Sequence, residues 1–203
     1  MSEAELPVDG RSARRARNRN AVLDAVHELF TEVRAFPTLE SVAARSGVSL
    51  RSIHRYFPDS QGLMLEALAR RVGVTAALYE LRDLGEGTLE ERIDRLVEQR
   101  LRIYDEASAT IRVALAVQDS MPLIAEQVEL RRAQLLTQLE QQFIPELEAL
   151  DPRSASAVVA CADILTQFEG VDRLHRALGL PLEEVRRILV DGLGKLLGKA
   201  PNG

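Results

Sequence analysis

The stretch LESVAARSGVSLRSIHRYF, residues 39 to 57, decides how the chain is read. Leu39, Val42 and Ala43 fall on one face of a short helix, and Gly47 breaks it. Val48 and Ser49 make a turn, with Ser49 suited to cap a second helix because its hydroxyl accepts an otherwise unsatisfied backbone N–H. Ile53 with Tyr56 or Phe57 gives this second helix one apolar face. Two helices of about two turns each, joined by roughly three or four residues that include Gly, form a helix-turn-helix. The polar face of the second helix holds Arg51, Ser52, His54 and Arg55, and no acidic residue occurs between Ser49 and Pro58. The DNA major groove admits one such helix, and Arg and Ser donate to base edges or phosphate oxygens. On spacing alone, an ordinary helical hairpin with a solvated basic face fits equally well.

Outward from this stretch, 203 residues allow one sizeable core or a small domain joined to a larger one. With 46% hydrophobic and 28% charged residues, the composition is that of a soluble globular protein. No apolar run reaches the length of about 18 residues that a membrane helix needs. The N-terminus is acidic before it turns basic, unlike a signal peptide. A single cysteine, Cys161, cannot form an internal disulfide; it sits on an apolar stripe and is expected to be buried and inert. The expected location is the cytoplasm.

Helix formers dominate, aromatics make up 4%, and no sustained alternating strand pattern occurs, so the expected fold class is all-α. The net charge of −5 is unevenly spread: residues 1 to 60 carry +1 and residues 61 to 203 carry −6. Arg11, Arg14, Arg15, Arg17 and Arg19 form a basic run free of acids from Gly10 to Leu23. Such a run can contact phosphates or enter a minor groove, with Arg15 and Arg17 the leading candidates, or remain a solvated tail.

Downstream, Val22, Val26, Leu29 and Phe30 mark a first helix, and Thr38 caps the helix that begins at Leu39. A long helix is expected from about Gln61 to Leu81. Another is capped by Thr88 and carries Leu89, Ile93, Leu96, Val97, Leu101 and Tyr104, and a short one runs from about Ser108 to Asp119. Pro122 and Pro152 open two further helices, the second with a stripe through Val158, Cys161, Ala162, Leu165 and Phe168. The last follows Pro181, its apolar positions Val185, Ile188, Leu189, Leu193, Leu196 and Leu197 stepping at helical spacing. Gly192 and Gly194 weaken it by about 1 kcal/mol each relative to Ala, a cost offset where another helix packs closely. Two such C-terminal helices are either core of one chain or half of a four-helix dimer interface.

The order of elements and two runs of residues, AVLDAVHELF and SVAARSGVSLRSIHRYFPDSQGLMLEAL, resemble the TetR family of transcriptional regulators. The resemblance is carried by residues 20 to 68, above all from Val42 through Gly47-Val48-Ser49 to Tyr56-Phe57-Pro58; beyond, only architecture matches. It implies about nine helices, arranged as an N-terminal arm over 1–14, a helix-turn-helix DNA-binding domain over 15–62, and an effector-binding and dimerisation domain over 63–203. It also implies a homodimer on a pseudo-palindromic operator of double-stranded DNA. Leu50, Arg51 and Ser52 occupy positions that face base edges in the family, while Thr38, His54 and Tyr56 occupy positions that contact phosphate; Ser49 and Arg55 flank them. Three departures stand out. The loop from Val33 to Pro37 is a residue short, His54 replaces a frequent Tyr, and Ser60 stands where many members have Lys.

The resemblance further implies a small-molecule effector site, with Tyr79, Tyr104, Met121, Phe143, Phe168 and His175 as candidate lining, although each also suits a simple core. It implies a dimer interface through Leu165, Phe168, Val185, Ile188, Leu189, Gly192, Leu193 and Leu196. No nucleophile, base and orienter combination marks an enzyme, and no cofactor or metal is expected. Glu169, Asp172 and His175 do share a helix face at i, i+3 spacing, a pattern more typical of a solvated face than of a metal site. A dimeric scaffold that has lost DNA binding, or a carrier or enzyme using the cavity, are the rival readings.

Overall fold

The computed structural model describes residues 10–33 and 37–198. Among the described residues every regular element is helical: α1 (Gly10–Val33), α2 (Leu39–Ser46), α3 (Leu50–Tyr56), α4 (Ser60–Thr75), α5 (Leu89–Val117), α6 (Pro122–Gln142), α7 (Ile144–Glu148), α8 (Pro152–Thr166), α9 (Phe168–Asp172) and α10 (Leu182–Leu197). The all-α expectation is met. Among the described residues, no helix is long and apolar enough to cross a membrane.

The chain divides into two compact units. One takes the described parts of residues 1–73 with 109–124, the other residues 74–108 with the described parts of 125–203. Helix α4 thus stays with α1 to α3 through residue 73, and α5 contributes its first part to one unit and its last part to the other.

In the first unit α1, α2 and α3 pack on one another. Val22 and Val26 on α1, Val42 on α2, Ile53 on α3 and the following Phe57 are each at most 2% exposed. Arg45 of α2 reaches two carboxylates one turn apart on α1, Glu28 at 3.1 Å and Glu32 at 2.6 Å. Arg70 of α4 reaches Asp24 of α1 at 2.8 Å. These exposed pairs add little individually, and apolar burial of about 1.5–3 kcal/mol per large side chain dominates.

The basic run differs from expectation. Residues 10–14 open α1 and are not an irregular arm, because Arg and Ala favour the helix and no Pro or Gly interrupts after Gly10. The remainder of the arm, residues 1–9, and the shortened loop at 34–36 lie outside the described residues. Two more boundaries change. Helix α4 ends at Thr75 and a 3-10 turn, Ala76–Tyr79, follows. Helix α5 runs unbroken through the position read as a gap near Ser108, since nothing between Tyr104 and Val113 breaks a helix and Ala107 and Val113 continue the buried stripe.

In the second unit, Ile93, Leu96, Val97 and Tyr104 of α5 meet Leu139 of α6, Phe143, Ala162 of α8 and Val171 of α9, with Val185, Leu189, Leu193 and Leu197 of α10. Thr88 and Glu91 cap α5 reciprocally, at 2.8 and 3.2 Å. Asp151 caps α8 through the N–H groups of Arg153 and Ser154. Arg92, 4% exposed, is neutralised by Glu146 at 2.5 and 2.7 Å. Gly170 is required by contact: a Cβ there would lie 2.6 Å from the Ile164 carbonyl oxygen and 2.8 Å from that of Leu165.

His27 on α1 generates a test. Burial, reinforced by Arg71 and Arg70 and opposed by Asp24 and Glu28, holds its imidazole below the ordinary value of 6.5. Its Nδ1 is buried without a hydrogen-bond partner. The folded chain therefore binds fewer protons than the unfolded chain just below pH 6.5, so stability contributed by neutral His27 is present above that pH and is lost as pH falls. Urea denaturation at pH 7.5 and pH 6 should show a larger loss for the native chain than for His27→Gln; equal losses would contradict the assignment.

Candidate nucleic-acid interface and the second unit

Helix α3 has only seven residues, so its direction is imposed by what flanks it. Gly47 closes α2 at φ 68°, a left-handed conformation in which its N–H bonds the Ala43 carbonyl. Ser49 then caps α3, its hydroxyl accepting from Ser52 N at 3.4 Å. Thr38 caps α2 in the same way, accepting from Ser41 N at 3.2 Å. With Ile53 and Phe57 buried, the opposite side of α3 is turned outward: Leu50 is 37% exposed, Arg51, His54 and Arg55 are exposed, and Ser52 and Tyr56 are half-buried.

Tyr56 joins α3 to α1. Its hydroxyl oxygen accepts from Asn18 at 3.5 Å and from Arg55 at 3.3 Å, and the Arg55 guanidinium lies 5.2 Å from its ring centroid. These donors, Asn18 foremost, with the nearby charges of Arg55 and Arg15, draw the phenol below its ordinary value. With its oxygen already accepting, the Tyr56 proton is available to a phosphate oxygen. Arg19, one turn beyond Arg15, pairs with Glu66 of α4 and lies 5.2 Å over the Phe57 ring.

The structure thus gathers Leu50, Arg51, Ser52, His54, Arg55, Tyr56 and Arg15 at or beside α3, with Ser49 and Thr38 as caps. Arg17 is placed differently from Arg15. Because the run is helical, it lies about 200° around α1 from Arg15, on the other side of the helix. Sequence reasoning missed Asn18, which fixes Tyr56, and Arg45, which fixes α2; the i, i+4 pair Glu28 and Glu32 was the one local signal for the latter. At the start of α4, the Asp59 carboxylate accepts from Gly62 N at 2.7 Å, so a negative charge already occupies the helix end where Ser60 replaces the family's Lys.

In the second unit the expected effector residues come together only in part. Tyr104 stacks on Phe168 at 5.5 Å, meets the His175 ring edge-on at 5.5 Å, and donates to Asp172 at 2.8 Å. Tyr79 instead lies under Arg131, while Phe143 is fully buried beside Arg92 in the same core cluster as Tyr104. Met121 falls in the first unit, where it is buried. An open cleft of about 750 Å³ is lined by none of these except through their neighbours; its walls are Glu129, Arg132 and Leu136 of α6, Asp163 and Ile164 of α8, and Glu169 with Gly170 of α9. Glu169, Asp172 and His175 are turned to different partners: Arg132, Tyr104 with Arg176, and the Leu180 carbonyl. Among the described residues no cluster of three such side chains is placed to hold a metal ion.

The expected interface residues also divide. Val185, Leu189 and Leu193 are 0% exposed within this chain, so they are its own core, whereas Ile188, Gly192, Leu196, Leu165 and Phe168 remain half-buried. Gly192 is where Leu165 of α8 approaches: a Cβ at this position would lie 2.8 Å from the Leu165 Cδ2. Cys161 is exposed, contrary to expectation, because α8 turns Ala162 inward instead.

Two substitutions follow from the α3 surface. Arg51→Ala should weaken binding to a preferred duplex by about 1–3 kcal/mol while leaving the thermal midpoint unchanged, since the side chain is exposed. Ser60→Lys should tighten binding and steepen the slope of log K against log salt by about one. Fluorescence anisotropy at four salt concentrations measures both; an unchanged slope in Ser60→Lys would remove α4 from the phosphate-contacting surface.

No family model matches the chain. It is 37% identical over 93 residues to the HTH-type transcriptional repressor LfrR of Mycolicibacterium smegmatis, a match covering 44% of this chain and 47% of that protein. It is 30% identical over 175 residues to the HTH-type transcriptional regulator BetI of Escherichia coli K12, covering 83% of this chain and 87% of that protein. BetI of Escherichia coli O17:K52:H18 is 30% identical over 136 residues, covering 64% of this chain and 69% of that protein. With a capped α2–α3 pair, an outward basic face and a likeness to BetI along most of both chains, the protein belongs to the TetR-like family of HTH-type transcriptional regulators.

Proposed function

We propose that the protein is a homodimeric, effector-responsive repressor that binds a pseudo-palindromic operator through α3. The observation that carries this reading is the α3 surface itself, where Arg51, Ser52, His54 and Arg55 face outward on a helix whose other side is buried by Ile53. Arg51, Ser52 and Leu50 at the start of α3 are the base-edge readers; Thr38, His54, Tyr56 and Arg15 hold phosphates. Two-fold symmetry presents two such helices to successive major-groove faces.

The dimer uses α8 and α10. Arg153, Ala157, Ala160, Cys161 and Ile164 form an exposed stripe on α8 at helical spacing, and Ile164 is 72% exposed. On α10, Gly194 faces open space. A self-complementary pairing of these faces covers them in the manner of a two-fold interface. Effector response belongs to the second unit, and α5, which serves both units, supplies the continuous element through which occupancy there biases the first.

Titration of the purified protein against its own upstream intergenic DNA and against scrambled DNA of equal length tests the regulator reading. Tight, sequence-preferring and salt-steep binding is expected; equal weak binding to both would instead favour a scaffold that has lost its operator. For the interface, Ile164→Lys should sediment as a folded monomer with sharply reduced operator affinity. A short bis-maleimide should cross-link the native chain through Cys161, its single cysteine. A native chain that sediments as a monomer would overturn the dimer.

A further inference from the structure

Arg100 of α5 lies about two turns beyond Arg92, and both are 4% exposed. Their surroundings differ in one respect. Arg92 is matched by the carboxylate of Glu146, whereas among the described residues Arg100 donates only to neutral oxygens: Gln99 Oε1, Gln138 Oε1 at 3.4 Å and the Leu135 carbonyl at 2.8 Å. The carboxylate whose charge acts on it is Asp163, and the hydrogen bonds of Arg100 go elsewhere. Burial pushes the guanidinium down to about 10, with Asp163 and Tyr79 opposing, so it remains a cation at neutral pH.

A second cation, like Arg100, acts on Tyr79. Arg131 of α6 lies 4.6 Å over the Tyr79 ring and donates to Gln134 Oε1 at 2.7 Å, another neutral acceptor, while its Nε is buried with no hydrogen-bond partner. Gln134 and Gln138 both donate to the Tyr79 carbonyl, and Gln99 donates to Gln138 at 3.2 Å, so the cluster is a single connected network. Arg131 and Gln134 are half-buried, so the network reaches solvent on their side. A buried cation without a counter-ion is unfavourable, and exchanging a neutral acceptor for a charged one about doubles the strength of each hydrogen bond.

We propose that Arg100 and Arg131, held about Tyr79 between the 3-10 turn, α5 and α6, bind the carboxylate of a small organic acid. The acid's carboxylate accepts from both guanidinium groups, displacing the Gln99 or Gln138 side-chain oxygen, and its apolar body lies against the Tyr79 ring. This rests on the reading that the second unit takes an effector, and it assigns that effector's chemical class.

The test uses the full chain at constant ionic strength, with benzoate, cinnamate and octanoate as probes and the primary amide of each as control, in thermal-shift and calorimetric titrations. At least one acid should raise the melting midpoint where its amide does not. Arg100→Met and Arg131→Met should each weaken that acid at least about tenfold. Arg100→Met should melt no lower than the native chain without ligand, because it removes an uncompensated buried charge. Should it fail to fold, the half-exposed Arg131→Met carries the comparison. The proposal is overturned if no acid outperforms its amide, or if binding survives both substitutions. Operator binding measured on the same preparations separates the two readings. Intact operator affinity with no acid bound removes this site and leaves the regulator, while acid binding without operator affinity does the reverse.

Discussion

A helix of seven residues is unstable in water by itself, and this constraint governs how the protein presents its recognition surface. Helix α3 exists because Ser49 caps it, Gly47 sets the entry turn in a left-handed conformation, and Ile53 with Phe57 fills the core shared with α1 and α2. Every one of those features lies on the inner side or at the ends. The outer side is thereby released from any structural duty and can carry Arg51, His54 and Arg55, residues that would be expensive to bury. Rigidity comes from the first helix as well, since Arg45 bridges two carboxylates of α1 and Tyr56 is tied to Asn18.

Arginine does three different jobs in the chain, distinguished by what stands opposite. On α3 and along one side of α1 it faces solvent, where a phosphate backbone finds it. Between elements, as at Arg45, Arg70 and Arg92, it is matched by carboxylates and serves as a tie. At Arg100, buried, and at Arg131, half-buried, the acceptors found among the described residues are carboxamide and carbonyl oxygens. The overall charge of −5 conceals all three, because only the local arrangement determines what a cation can attract.

The helix-turn-helix was legible in the sequence because all its determinants are local: cap, glycine and apolar positions lie within 19 residues. The basic run is legible as a charge pattern but not as a helix face, which is why Arg15 and Arg17 look equivalent until their opposite directions on α1 are seen. An apolar stripe cannot say whether it meets its own chain or another, so Val185, Leu189 and Leu193 read as interface although they fill the core of their own chain. Cys161 misleads for a related reason, since one step along α8 separates the inward Ala162 from the outward thiol. The residues expected to line an effector site come from distant parts of the chain, and nothing in their spacing reveals that Tyr104, Phe168 and His175 make ring contacts while Met121 falls in the other unit. Nor can the buried state of Arg100 be read, because its neighbours across the unit come from α6 and the 3-10 turn.

The central claim is that α3 enters the major groove, and guanine N7 methylation interference on the operator addresses it most directly, since N7 lies on the major-groove edge. The account predicts interference at guanines in two symmetric half-sites, centred about one helical turn or a whole multiple of it apart. It also predicts that Arg51→Ala removes the strongest positions in both halves together. Binding unaffected by N7 methylation in either half-site would contradict it.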